Sequence, residues 1–184
     1  MCAAVVLGVV SGAVVGMAQG KAPVEPHVKA AFLYNFVKFI EWPDDRVTGG
    51  PVTVCISGSP AVAESLRAAA HQRRPDQHEL TVVEVAMDAP PRTCHLVYVA
   101  DTDEQAARRW IAALTGSRTF TVSDSERFAK LGGVANFFVQ DGRLRFAINV
   151  DAARRASLRI SSRMLALAQI VTDERQGSDV RISR

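Results

Sequence analysis

Hydrophobic residues recur with helical spacing in the first strongly patterned stretch of the chain, residues 28–43. Leu33, Phe36, Val37 and Ile40 fall at positions i, i+3, i+4 and i+7, which predicts the buried face of an α-helix. A proline at position 43 cannot continue a helix, so we expect this helix to end near that position. The spacing predicts that the stripe packs against the core of the domain.

Compact runs of β-branched residues follow this helix and predict about six strands. They cover residues 52–57, 80–86, 94–100, 118–122, 134–140 and 143–150. The dipeptide Asp141-Gly142 separates the last two runs and is a strong signal for a β-hairpin.

Helices are predicted between these strands from capping residues and apolar spacing. Ser59 and Pro60 open one that continues to about Ala70, and Asp101 with Glu104 opens another that Gly116 closes. Ser123 with Glu126 predicts a short helix that ends at Leu131. A final helix is expected to begin at Asn149 or Asp151, with apolar residues along one side at Ile160, Met164, Leu167 and Val171.

Strands that alternate with helices favour a mainly parallel sheet with helices on both faces. The sequence therefore predicts an α/β fold, a three-layer α/β/α domain whose mixed sheet ends in a C-terminal β-hairpin as an antiparallel edge. No repeat or linker divides the chain, and we expect residues 21–184 to form a single domain.

Residues 1–20 resemble a secretory signal peptide. They contain no charged side chain, and an apolar run precedes a small-x-small cleavage site that ends at Gly20. No Lys or Arg precedes the apolar run, so either the α-amino group supplies the positive charge or the true start lies upstream. We expect export, with cleavage after Gly20 and a periplasmic mature protein.

The balance of charge adds little to this picture. The net charge is +3 and 22% of the residues are charged, as in an ordinary globular protein. Pairs of arginines are scattered over several elements and are not interleaved with aromatic residues, so a nucleic-acid groove is not indicated.

Export changes the interpretation of the cysteines. Cleavage would remove Cys2 and leave Cys55 with Cys94, and an even pair in an exported protein favours a disulfide. The alternative is a pair of buried free thiols.

Catalytic and metal-binding motifs are not found in the sequence. The four histidines lack zinc-site spacing, and there is no G-x-S-x-G or G-x-G-x-x-G motif. Ser57 or Ser59 could meet His95 across neighbouring strands, but no pattern selects them as nucleophile and base. Asp101 and Glu104 are explained by capping of the next helix. We predict no catalytic residue, no metal and no cofactor.

Four segments carry a resemblance to a known family. They are VKAAFLYNFVKFIEWP, VTVCISG, CHLVYVA and GRLRFAINVDAARRASLRISSRMLALAQIV. In these segments the chain resembles the YfiR family of exported bacterial proteins, over nearly the whole of residues 21–184.

The resemblance implies regulation rather than catalysis. Proteins of the YfiR family are periplasmic, tend to form homodimers, and repress a membrane-bound diguanylate cyclase through its periplasmic sensor region, which lowers cyclic-di-GMP and biofilm formation. Cys55 and Cys94 match the family's structural cysteine pair. A second pair that relatives can carry near the hairpin is absent from residues 134–150 of this chain.

A partner surface is predicted beside the buried stripe of the first helix. We expect Phe32, Phe39 or Trp42 to face a dimer or a partner, because these aromatics widen the stripe beyond what docking requires. A non-catalytic regulatory protein is the preferred function. A periplasmic module that binds a small ligand is the alternative, and an exported enzyme comes last.

Overall fold

The computed structural model describes residues 26–43, 50–72, 79–100 and 102–174. The predicted signal peptide and Asp101 lie outside these residues. The helices are α1 (Pro26–Phe39), α2 (Pro60–His71), α3 (Glu104–Leu114), α4 (Val150–Arg155) and α5 (Ser162–Leu165). The strands are β1 (Ile40–Glu41), β2 (Val52–Ser57), β3 (Leu80–Val85), β4 (Leu96–Val99), β5 (Phe120–Ser123), β6 (Ala135–Gln140), β7 (Arg143–Asn149), β8 (Arg159–Ile160) and β9 (Gln169–Val171).

A seven-stranded mixed sheet forms the centre of the molecule. Its strand order is β3-β2-β4-β5-β6-β7-β9, and only the hairpin pair β6–β7 is antiparallel. The central strands β2, β4 and β5 are almost fully buried, as expected of parallel strands that are covered on both faces. The predicted α/β class and three-layer architecture are confirmed.

The first helix packs as its apolar spacing predicted. Leu33, Phe36, Val37 and Ile40 are all buried in the main core, together with side chains of α2 and of one sheet face. Each large side chain buried in this way stabilises the fold by about 1.5–3 kcal/mol. The helix ends earlier than predicted, at Phe39. The reason is tertiary, because Ile40 leaves the helix to pair with Ile160 of β8.

The prediction of a long C-terminal helix was wrong. The chain forms α4, β8, α5 and β9 in its place. Asn149 caps α4 by accepting a hydrogen bond from the Ala152 N–H, and Ser157 adopts a φ of 57° shortly after that helix ends. The apolar spacing assigned both of the next segments to a helix. Instead, β8 pairs with β1 and β9 pairs with β7.

The hairpin formed as predicted but does not lie at the edge of the sheet. Asp141 and Gly142 have φ values of 51° and 71°, the left-handed conformation that a two-residue hairpin loop requires. β9 pairs with the outer side of β7 and gives the sheet its seventh strand.

Two smaller predictions were also wrong. Residues 124–131 form turns and not a helix, and the Ser123 hydroxyl accepts a hydrogen bond from the Ser125 N–H inside them. The cap of α3 is Asp103 and not Asp101, because its carboxylate accepts from the Ala106 N–H at 2.7 Å. Within the described residues, none of the helices has the length and hydropathy needed to cross a membrane.

Candidate interaction site around the first helix

An aromatic cluster fixes α1 on the sheet. Phe36 is buried and contacts the rings of Phe120, Phe137 and Phe146 at centroid distances of 5.0–5.8 Å. Phe32 reaches two of these rings, Phe137 and Phe146, at 5.8 and 5.7 Å but remains half-buried. Such ring pairs add to the free energy of burial. The cluster therefore holds α1 rigidly while it leaves part of Phe32 accessible.

A polar contact anchors the first turns of α1. The Lys29 ammonium and the Tyr98 hydroxyl both donate to Oδ2 of Asp124 at 2.6 Å. Asp124 follows β5 directly, so the contact joins the helix to the carboxyl edge of the parallel strands. The other carboxylate oxygen, Oδ1, is buried and accepts no hydrogen bond from the described residues.

Trp42, the last residue of the predicted aromatic surface, packs in the core. Trp42 is 9% exposed, its indole N–H donates to the His95 carbonyl at 3.1 Å, and its ring lies edge-on to His95. The His95 ring in turn accepts from the Thr53 N–H through Nδ1. Trp42 therefore joins the end of the first segment to the start of β4.

The aromatic residues on the outer side of α1 are half-buried. Phe39 packs at the rim of the core, and its carbonyl accepts from the Ser161 N–H at 2.9 Å. The Lys38 ammonium lies 4.2 Å from the centre of the Tyr34 ring. Partner binding by Phe32, Phe39 or Trp42 stays a prediction, and the two phenylalanines are those with accessible surface.

The candidate serines and histidine are not brought together. His95 lies beside Thr53 at the start of β2, whereas Ser57 is at the end of the same strand, four positions away. Four positions along a strand correspond to about 13 Å. The Ser57 hydroxyl donates instead to the sulfur of Met87.

The cysteine pair forms a disulfide on the opposite face of the sheet. Cys55 of β2 is bonded to Cys94, which precedes β4, and their Cα atoms are 6.0 Å apart. Each is 1% exposed, in a small core with Trp110 and neighbouring apolar side chains. Trp110 is itself held by a hydrogen bond from its indole N–H to the Met87 carbonyl. The bond therefore lies beneath α3 and out of contact with solvent.

Charged side chains join α3 to the end of the described chain. The Arg127 guanidinium contacts Glu104 at the start of α3 and donates to Glu174 at 2.6 Å. The hydrogen bond from Arg127 holds the pKa of Glu174 below its ordinary value, and the same bond raises the pKa of Arg127. These contacts fasten the residues after β9 to the turns that follow β5.

One cleft lies on the disulfide side of the sheet, between α3 and α4. Its volume is about 180 Å³. Its lining includes the apolar side chains of Ile111, Leu114 and Val134, together with threonines and Arg155. Pockets for drug-sized ligands are larger, roughly 300–1,000 Å³. Among the residues that the structure describes, no three His, Cys, Asp or Glu side chains are grouped to hold a metal ion.

A family model described as YfiR/HmsC-like matches residues 26–169 of this sequence. The chain belongs to the YfiR/HmsC-like family. The match covers all five helices and reaches into the last strand, so the resemblance inferred from four segments is confirmed. No curated protein matches this YfiR/HmsC-like sequence.

Two solved structures share the fold of this YfiR/HmsC-like chain. A conserved domain protein from Vibrio cholerae has a TM-score of 0.54 and 14% identity, with 79% of this chain and 59% of that chain covered. The ABC domain from Streptococcus pneumoniae, in complex with L-Trp, has a TM-score of 0.53 and 10% identity, with 80% and 60% covered. The chain thus spans about 60% of each structure's length, and at these identities the likeness concerns the fold alone.

Sequence reasoning missed two sets of polar contacts, that of Lys29 with Asp124 and those of Arg127 with two glutamates. Lys29 and Asp124 are 95 positions apart, and no local pattern joins them. A partial signal was present, since Asp124 follows a predicted strand whose carboxyl end meets the end of β4. The contacts of Arg127 with two glutamates had no signal in the sequence.

Proposed function

We propose that this protein is a non-catalytic periplasmic regulator that binds the periplasmic sensor region of a membrane-bound diguanylate cyclase and represses it. Repression lowers cyclic-di-GMP and biofilm formation. Membership of the YfiR/HmsC-like family over residues 26–169 is the observation that carries the proposal. The leader-like sequence of residues 1–20 supports export to the periplasm.

We assign the outer side of α1, the side that carries Phe32 and Phe39, to a partner or to a second subunit of a homodimer. Phe32 and Phe39 are half-buried there, and aromatic side chains are enriched where proteins bind one another. The rings beneath Phe32 and the Lys29–Asp124 contact hold the helix in place, so little ordering would accompany binding. Trp42 contributes from the interior, by fixing the segment that follows α1.

Repression follows from a difference in affinity. A protein that binds the inactive state of the cyclase more tightly than the active state shifts the population toward the inactive state. A tenfold preference corresponds to about 1.4 kcal/mol. No reaction needs to take place on the regulator itself.

The test compares variants of α1 in cells that contain the cyclase. Phe39→Ala should raise cyclic-di-GMP, because it removes accessible aromatic surface from α1, while the exposed control Arg109→Ala, on α3 at the opposite face of the sheet, should leave it unchanged. Thermal unfolding of both purified variants separates lost binding from lost folding. If both variants repress as the wild type does, α1 is not the partner surface.

Binding of a small ligand is the second candidate function. It is favoured by the fold shared with the pneumococcal domain, whose structure contains L-Trp. A thermal-shift screen against amino acids and other metabolites tests it, and a stabilising compound at micromolar concentration would support it. Absence of any shift together with intact repression would dismiss a required effector.

A further inference from the structure

The hairpin projects beyond its neighbours in the sheet. β5 pairs with β6 only as far as Asn136, and β9 begins opposite Ala147 of β7. In the described part of the chain, residues 137–140 and 143–146 therefore pair only with each other. We call this two-stranded segment, residues 137–146, the arm.

One face of the arm is packed and the other is open. Phe137 and Phe146 lie opposite each other and contact the rings of α1. Because side chains alternate along a strand, the register places Phe138 with Arg145, and Gln140 with Arg143, on the other face. Phe138 is half-buried and the other three are exposed. The packed face makes the arm rigid, and the open face presents an aromatic ring beside two arginines.

The two arginines of the arm lack carboxylate partners within the described residues. Six other arginines form ion pairs there, whereas neither Arg143 nor Arg145 lies within 4.0 Å of an acidic side chain. Their positions, i and i+2 on one strand, are about 6.7 Å apart. Asp141, at the turn, is the one carboxylate in the sequence of the arm. The open face therefore carries uncompensated positive charge with a defined spacing.

Among the residues that the structure describes, no strand pairs with the outer edge of β7 along residues 143–146. In an antiparallel pair, every second residue directs its N–H and C=O groups away from the partner strand. An extended peptide can bind such an edge by adding a strand. Its side chains on one face would then lie opposite Arg143 and Arg145 with the same two-residue period.

We propose that the arm binds an extended acidic segment of a partner protein, which adds to the free edge of β7 and places alternate carboxylates opposite Arg143 and Arg145. Charge complementarity and matched spacing select this occupant. The segment need not belong to the cyclase, and its binding holds whether or not the outer side of α1 contacts that enzyme.

The test uses the purified protein and a fluorescent synthetic peptide in which glutamate alternates with threonine. Anisotropy should report salt-sensitive binding, and a peptide of the same composition with its glutamates in one block should bind more weakly. The double variant Arg143→Gln/Arg145→Gln should lower the affinity by on the order of fivefold or more. The matched control Arg109→Gln/Arg154→Gln removes two exposed charges elsewhere and should bind as the wild type does.

Two further measurements sharpen the result. Asp141→Asn removes the opposing charge at the turn and should tighten binding of the alternating peptide, since asparagine also tolerates the positive φ of this position. Equal binding of the alternating and blocked peptides, or equal loss in the matched control, would overturn the proposal. Binding of phosphatidylglycerol vesicles through Arg143 and Arg145 without binding of the peptide would overturn it in favour of a lipid surface.

Discussion

Removal of the Cys55–Cys94 disulfide should lower the free energy of unfolding by about 4 kcal/mol. The bond joins residues 39 positions apart, and the chain-entropy relation gives roughly 4 kcal/mol for a loop of that length. Both sulfurs are buried beside Trp110, so alanine at both positions also leaves a small cavity that adds to the loss. A small domain has only about 5–15 kcal/mol in total, so the bond is a large share of its stability.

Urea and thermal unfolding of Cys55→Ala/Cys94→Ala measure this loss. Fluorescence is a suitable signal because Trp42 and Trp110 are both buried and become exposed on unfolding. For a domain of this size, 4 kcal/mol corresponds to a fall in Tm of about 8–16 °C. The variant should remain folded at low temperature.

Reductant provides the matched control. Dithiothreitol should lower the Tm of the wild type toward that of the double alanine variant and leave the variant itself unchanged. Because each cysteine is 1% exposed, reduction of the native protein should follow its opening and should be slow without denaturant. Equal unfolding midpoints for the wild type and the variant would refute a stabilising role of the bond.

Three further substitutions test individual contacts. Gly133→Ala places a methyl group in overlap with the buried ring of Phe128 and should cost about 1–3 kcal/mol in urea unfolding, whereas Gly50→Ala meets no atom within 4 Å and should be neutral. Asp124→Ala removes the carboxylate that the Lys29 ammonium and the Tyr98 hydroxyl share and should cost about 3 kcal/mol by the same assay, with Asp124→Asn costing less. Glu174 has a lowered folded-state pKa, so its contact with Arg127 stabilises above the unfolded-state pKa and is lost as the pH falls below about 4.5. The Tm difference between wild type and Glu174→Gln should therefore shrink as the pH is lowered below 4.5, and a difference that grows there would contradict this assignment.

Local patterns predicted those parts of the fold that local chemistry determines. The stripe from Leu33 to Ile40 is buried as its spacing required, and the dipeptide Asp141-Gly142 forms the hairpin loop. The disulfide could also be predicted from the sequence, since two cysteines in an exported chain leave one pairing.

Tertiary pairing decided what the patterns could not. Ile160 and Val171 have helical spacing with the residues between them, yet one pairs with β1 and the other lies in β9. Residues 124–131 carry a capping pattern but form turns around the buried ring of Phe128. In both segments the free energy of packing against distant residues exceeds the local preference.

The candidate site was predictable only in part. The aromatics of α1 were identified from sequence, but which of them are buried depends on contacts such as that of Trp42 with His95, 53 positions away. The open face of the arm arises because β6 and β7 are longer than their neighbours β5 and β9. Strand lengths of neighbours are set by the whole sheet and not by the sequence of the hairpin.

Cellular cyclic-di-GMP, measured with and without this protein, tests the central claim most directly. The comparison needs an intact membrane-bound diguanylate cyclase and the same enzyme without its periplasmic region. Regulation through that region predicts that the protein lowers cyclic-di-GMP for the intact cyclase and has no effect on the truncated one. An unchanged level with the intact cyclase, or an equal decrease with both, would contradict it.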